Sequence, residues 1–465
     1  MATVIRDTII VTGDADGRII YDGAIAIGDD GNIAAIGPTD EVVSAHPNAD
    51  TISARGKAVY PGFFNCHTHL TATLSRGILE DLGFPSPLRF PEQVAAMLSA
   101  EEMQVFALLG AIEGIRSGTT TFFEQGRGIS NYAQQLADTG ARFVLTESMT
   151  DVNYNVISAG TLLKSSADFS EELAEAAYQR AVDVYDAWHG KADGRLTVYF
   201  SPSTTDSVSP AMLRRSRELA EERGVGYTIH LSQSKQEVAG VMAAWGVLPA
   251  HYLEQNEFLG PRLVVAHCRE IIESEIQALG RHGTGVSNNP AIAARRGAAA
   301  PALDLEEAGC RIGIGTDNMA EDMVEAIRTG YFVERVRRDD PFNPKAEKLL
   351  EWATIGGARI MGMDETLGSL EVGKQADLFI ADLRRAHMVP VLRVVADFVN
   401  NGQASDVEAV MVAGNWVMRD NKLLHIDEDD ILQRGEELAH RAWKQLQEKY
   451  PDVAMPFPLM EGPAF

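Results

Sequence analysis

The chain has 465 residues, 45% hydrophobic and 23% charged, which is ordinary globular composition and enough length for one large domain plus a smaller one. Its formal net charge of -25 repels phosphates, so nucleic acid and anionic membranes are excluded as main partners, although a local pocket can still oppose the global sign. No run reaches the roughly 18 apolar residues that span a bilayer, the start MATVIRDTIIVTGDADG lacks a signal-peptide pattern, and Cys66, Cys268 and Cys310 form no CxxC or disulfide framework, so a cytoplasmic protein is expected.

Residues 1–58 alternate short β-prone runs with Asp-Gly and Gly-Asp turns, as in TIIVTGDADGRIIYDGAIAIGDDGNIAAIG. From 59 to 364 the rhythm changes to short apolar runs separated by helical patterns. The strand candidates are YPGFFNCHTHL, GTTTFFE, ARFVLTES, LTVYFSPS, GYTIHLSQS, LVVAHC, GTGVSNN and RIGIGTDN; SAEEMQVFALLGAIEGIRSG and SPAMLRRSRELAEERG are among the helices. Eight βα units predict an α/β fold, a closed (β/α)8 TIM-type barrel. An open doubly wound sheet is the rival, but no GxGxxG or GxxxxGK(S/T) follows a strand. The β texture returns over 365–424, in ADLFIADL and VEAVMVAGNWVMRDNKLLHID, so both chain ends are expected to build one small sheet domain. Residues 425–465 hold an amphipathic helix, EDDILQRGEELAHRAWKQLQEK, and a proline-rich tail expected to wrap over another surface.

Barrel active sites lie at the C-terminal ends of the strands. The first strand candidate ends in His67 and His69, the fifth in His230, the sixth in His267 and the eighth in Asp317. Side chains two apart on a strand share a face, so His67 and His69 point together while Cys66 points away. One histidine at a strand end is usually a satisfied polar residue; this many at one end of a barrel points to a divalent metal, with neutral imidazoles and a carboxylate suiting zinc. Such an ion lowers the pKa of bound water to roughly 7 in favourable cases. Asp317 is placed to ligate and collect that proton, and His267 to orient the water or act as a base. Cys66 and Cys268 read as small buried neighbours, not nucleophiles.

At these residues a resemblance becomes specific. VYPGFFNCHTHL, HL at His230, AHC at His267 and GTDN at Asp317 resemble the amidohydrolase superfamily, and GSLEVGKQADLFIADL resembles that superfamily's return into a β-sandwich domain. The branch most similar is that of cytosine deaminase, adenosylhomocysteine deaminase and the triazine hydrolases. The resemblance implies that His67, His69, His230 and Asp317 bind a single zinc or iron, with His267 beside the reactive water. LTVYFSPS offers no lysine to bridge a second metal, which favours a mononuclear site. The branch's habit and the apolar tail make a homo-oligomer an expectation.

Three departures narrow the reading. The branch's deaminases carry HLAETxxE where this chain has HLSQSKQE, so the proton-shuttling glutamate is replaced by Gln233; Glu237 fits the motif's supporting glutamate. An amide donates and accepts hydrogen bonds but delivers no acid proton. FSPSTTDSVSP puts Ser203 in place of a substrate-contacting histidine, and the loop SNNPAIAARRG replaces SNxKLASG. Together these make adenosylhomocysteine and methylthioadenosine poor substrate matches. Glu124, at the end of TFFEQG, is a candidate for the missing acid, against an equal reading as a carboxylate paired with arginine. Arg295 and Arg296 are candidates for clamping a carboxylate or an electron-rich ring substituent, against a reading as a solvated loop.

The function expected is hydrolytic displacement at an electron-poor carbon of a small nitrogen heterocycle, by water activated on the metal. Loss of ammonia comes first and loss of halide or alkylamine second, with Gln233 binding a ring nitrogen or the leaving group. The alternatives are cyclic-amide hydrolysis with the same metal chemistry and, disfavoured because every ligand position is filled, a non-catalytic metal-binding protein.

Overall fold

The computed structural model describes residues 2–152, 169–460 and 462–465. The expected strands and helices are present, and the fold is mixed α/β. Two parallel sheets carry the middle of the chain. One holds Phe63–His69, Thr119–Gly126, Arg142–Met149, Leu196–Val198, Ser201–Pro202 and Asp317–Asn318; the other holds Tyr227–Leu231, Leu263–His267, Gly285–Asn288 and Arg311–Ile314. The hydrogen-bond ladders are thus divided, not one closed ring, and isolated bridges from Phe200 to Tyr227 and from Thr204 to His230 join the sheets along one side. Every residue of Tyr227–Leu231 and Leu263–His267 is buried, as expected for strands covered on both faces.

Local chemistry explains where the flanking helices begin and end. Ser99 accepts the backbone N–H of Glu102 at 3.2 Å while the Glu102 carboxylate accepts that of Ser99 at 2.9 Å, which fixes the start of Ala100–Arg116. Pro210–Arg223 starts on the Ser209 cap with proline in its first turn and stops at Gly224, in the left-handed region. No helix among the described residues is long and apolar enough to cross a membrane. The tail packs on its own chain: Met455, Phe457 and Leu459 join a cluster around Leu74, Phe106 and Trp443.

A third, nine-stranded sheet combines the two chain ends. Lys57–Pro61 from the first end pairs antiparallel with Leu378–Asp382 from the second. Only Gly62 separates this sheet from the His67-bearing strand, and an added Cβ there would meet the Thr120 side chain at 2.1 Å. A buried ion pair also ties the sheets. Arg142 reaches Asp377 at 3.3 Å and Gln375 at 2.7 Å, and Asp377 accepts the Ala413 N–H at 2.7 Å. Removing one partner strands the other charge, so Asp377→Ala is expected to cost about 3–5 kcal/mol, seen as a lowered denaturant midpoint. Arg142→Met with Asp377→Leu is expected to cost less than Asp377→Ala alone.

Candidate metal centre

Strand register brings the polar strand ends together. Asp317 pairs with Thr68 and Asn318 with His69, while His230 pairs with Ala266 and Leu231 with His267. Gly315 permits the approach of the Asp317 segment, because a Cβ there would lie 2.4 Å from the Asn289 side-chain oxygen and 2.8 Å from the His67 backbone nitrogen. Ser232, His267, Cys268, Asp317 and Met319 all adopt positive φ, the kind of local backbone strain that concentrates at functional sites.

His67 stands edge-on to the rings of His69, His230 and His267, at centroid distances of 4.8, 4.8 and 5.1 Å. Asp317 Oδ1 lies 3.4 Å from His67 Nε2 and 3.5 Å from His69 Nε2. The tautomers follow from the outer partners. His69 Nδ1 donates to the Gln125 carbonyl and His230 Nδ1 to the Ser203 carbonyl, each at 2.6 Å. Both rings therefore present a bare Nε2 to the centre, and these two nitrogens are only 3.2 Å apart. Protonation is a poor remedy: burial and the His67 ring lower His69 to about 4, and burial with the same neighbour takes His230 well below its usual value. Two lone pairs face each other with no proton between them, and His67 Nε2 is buried with no hydrogen-bond partner among the described residues, its near neighbour Asp317 Oδ1 standing off at 3.4 Å. This arrangement fits a divalent cation; among the described residues the two groups able to hold one are His67, His69 and Asp317, and His67, His230 and His267.

His267 differs from the others. The Asn289 side-chain amide lies 3.2 Å from its Nδ1 while the Asn289 oxygen accepts from Ser287 at 2.8 Å. A neutral His267 then carries its proton on Nε2, which is buried and unpartnered among the described residues. It presents a donor to the centre, where His69 and His230 present acceptors.

The carboxyls separate sharply. Burial would raise Asp317, but the His267 and His67 rings and the Arg296 guanidinium outweigh it and hold the group well below the carboxylate range. Burial pushes Glu124 up to about 8, burial and Asp206 push Glu237 up to about 8, and burial takes Glu321 well above its usual value. Asp317 is the ionised carboxylate of a site otherwise walled by neutral acids.

The other expected residues are distributed unevenly. Arg296 is at the centre, 3.4 Å from Asp317 Oδ2, while Arg295 turns outward to an exposed pair with Glu325 at 2.8 Å. Glu124 is sealed: its oxygens accept the Leu70 N–H and the Tyr132 hydroxyl, each at 2.9 Å, and its partner is a tyrosine, not an arginine. Ser203 contributes its carbonyl to His230. Gln233 is half-buried with its amide free of hydrogen bonds among the described residues, and its backbone N–H donates to Glu237 at 2.8 Å. Cys66 packs against the Gly313 and Gly357 backbone, and burial raises the thiols of Cys66 and Cys268. Asn289, Arg269 and the buried Asp206 escaped the sequence reading. Arg269 and Asn289 each lie just past the C-terminal end of a strand, Leu263–His267 and Gly285–Asn288.

The sequence profile of the Amidohydrolase family matches residues 58–417. The chain belongs to the amidohydrolase family. It is 33% identical over 427 residues to a 5-methylthioadenosine/S-adenosylhomocysteine deaminase of Desulforudis audaxviator, covering 90% of this chain and 95% of that one. It is 33% identical over 406 residues to a 5'-deoxyadenosine deaminase of Methanobrevibacter smithii, covering 85% and 88%. Among solved structures, an adenosine deaminase from Xanthomonas campestris with bound zinc superposes with a TM-score of 0.84 at 25% identity, covering 95% of this amidohydrolase and 98% of that chain. Atrazine chlorohydrolase from Arthrobacter aurescens complexed with zinc has the same fold, with a TM-score of 0.81 at 21% identity and coverage of 94% and 100%.

Glu124 gives a stability test that does not depend on activity. Its folded pKa of about 8 lies above the ordinary 4.5, so its contribution is complete below about pH 4.5 and is lost as pH rises through about 8. Glu124→Gln keeps a neutral, hydrogen-bonding side chain. Urea midpoints of this variant are expected to gain on the unsubstituted protein between pH 5 and pH 9; parallel pH profiles would refute the assignment.

Proposed function

We propose that this amidohydrolase is a hydrolytic deaminase of a small nitrogen heterocycle, with one zinc ion held by His67, His69, His230 and Asp317. The observation that carries the reading is the pair of bare imidazole nitrogens on His69 and His230, 3.2 Å apart beside an ionised Asp317. The names of the relatives and the zinc in the adenosine deaminase structure support it. We read the two parallel sheets, joined by the Phe200 and Thr204 bridges, as the arcs of a (β/α)8 barrel over 59–364. The nine-stranded sheet is read as the β-sandwich domain, built from 1–58 and 365–424, with 425–465 as a helix and tail laid on the barrel.

A bound divalent ion supplies Lewis acidity and makes water nucleophilic near neutral pH. The chain's own groups do the rest. In the overall exchange a C–O bond to water forms at the electron-poor carbon, the C–N bond breaks, and ammonia leaves with a proton from the water. Asp317, an ionised carboxylate, accepts a proton transiently and passes it on. The His267 Nε2–H donates to the oxygen entering at the reacting carbon and fixes its line of approach. Gln233 holds a ring nitrogen or the leaving amine by hydrogen bonds.

Gln233 also favours a second reading, displacement of halide, since a halide leaves without a proton and an amine generally needs one. The same glutamine and Ser203 count against an adenosylhomocysteine-like substrate despite the relatives' names. A screen of aminopurines, aminopyrimidines, pterins and aminotriazines for ammonia, amine and chloride release separates the outcomes. Ammonia release that disappears on metal removal, returns with zinc and stays absent in His69→Ala supports the proposal. Full activity in stripped protein or in His69→Ala contradicts it.

A further inference from the structure

Glu321 hydrogen-bonds the chain neighbours of the proposed metal ligands. The strand that carries Asp317 is only two residues long, Asp317–Asn318, and its ladder to Phe63–His69 has two pairs, Asp317 with Thr68 and Asn318 with His69. Asp317 and Met319 both hold positive φ, a conformation that the surrounding structure must enforce. Side chains supply what so short a ladder cannot. Glu321 Oε2 accepts from the Thr68 hydroxyl at 2.6 Å, from the Asn65 amide at 3.2 Å and from the Thr316 hydroxyl. Thr68 stands between His67 and His69, Asn65 two residues before His67, and Thr316 immediately before Asp317. Asn65 also donates to Thr316 Oγ1 at 2.7 Å and accepts the Thr316 N–H at 3.1 Å.

Glu321 is itself anchored from outside the centre. Its backbone N–H donates to Glu113 Oε2 at 3.0 Å; Arg76 donates to the same oxygen and, at 2.6 Å, to the Met319 carbonyl. Glu113 lies on Ala100–Arg116, so Glu321 is a strut from that helix to the two strands that carry His67, His69 and Asp317. All four side chains of the network are buried, and Glu321 is completely so. Its Oε1 has no partner among the described residues. The cost of burying this carboxyl is therefore offset through one oxygen, and every side chain donating to that oxygen lies within two residues of His67 or Asp317.

We infer that Glu321 is a positioning residue for the metal centre: its one oxygen sets the spacing between the His67–His69 strand and the Asp317 segment, and through that spacing the affinity for the ion. Groups that orient ligands without binding the metal act in this way. The inference rests on the metal ligands proposed above and not on which group leaves the substrate.

The test is zinc affinity by chelator competition, with the visible spectrum of the cobalt(II)-substituted protein as the readout of ligand geometry. Glu321→Met keeps the bulk and removes the acceptor; the zinc Kd is expected to rise about ten- to a hundredfold, with an altered cobalt spectrum. Glu321→Gln keeps an oxygen acceptor and is expected to retain most of the affinity and the spectrum. Thr68→Val combined with Thr316→Val removes two donors from the opposite side and is expected to match Glu321→Met; it carries the test if Glu321→Met does not fold. Asp377→Ala, which weakens the fold at another sheet, is expected to move neither readout. Readouts unmoved in Glu321→Met or in the double variant, or moved as far by Glu321→Gln or Asp377→Ala, overturn the inference. Zinc binding unchanged by His69→Ala contradicts the metal reading and this inference with it. Zinc binding lost in His69→Ala yet unmoved in Glu321→Met overturns the inference alone.

Discussion

Two imidazole nitrogens that face each other without a proton impose the constraint around which this centre is built. The carbonyls of Gln125 and Ser203 hold the Nδ1 protons of His69 and His230 outward, so the Nε2 lone pairs converge. Burial opposes the alternative of charging either ring. The strain at His267 and Asp317, the close approach permitted by Gly315 and the edge-on placement of His67 all serve to bring donors to one point that the folded chain alone cannot satisfy. A cation at that point turns a set of repulsions into a set of bonds, and binding free energy of that kind is coupled to folding.

Charge is concentrated by neutralising nearly everything around it. Glu124, Glu237 and Glu321 are buried with their acid protons favoured, so they serve as hydrogen-bonding scaffold. Glu237 accepts the Ser232 and Gln233 N–H groups and shapes the turn after His230; Glu321 accepts from Thr68, Thr316 and Asn65 beneath the Asp317 segment. Asp317 keeps its charge because imidazoles and Arg296 surround it. The charge at the centre thus rests on Asp317 and its arginine neighbour Arg296, which neither composition nor net charge discloses.

Much of this was legible in the sequence, for identifiable reasons. Fully buried parallel strands read as short apolar runs, and a polar residue at the end of such a run stands out, so His67, His69, His230, His267 and Asp317 were visible one by one. Turn chemistry at Asp-Gly and Gly-Asp marked the hairpins of the first 58 residues. Less legible were partners fixed by tertiary geometry. Nothing local distinguishes the inward Arg296 from its neighbour Arg295, which turns to Glu325. Glu124 reads as a free acid until Tyr132 and Leu70 close over it. Asn289 and Arg269 lie just past strand ends, where polar residues are common enough to be read as solvated.

The direct test of the account is X-ray absorption spectroscopy on the zinc-reconstituted protein, together with its metal content. The account predicts one ion per chain, a nitrogen and oxygen shell without sulfur, and multiple scattering from three imidazoles that falls to two in His69→Ala. A sulfur neighbour from Cys66 or Cys268, or an imidazole count unchanged by His69→Ala, would contradict it.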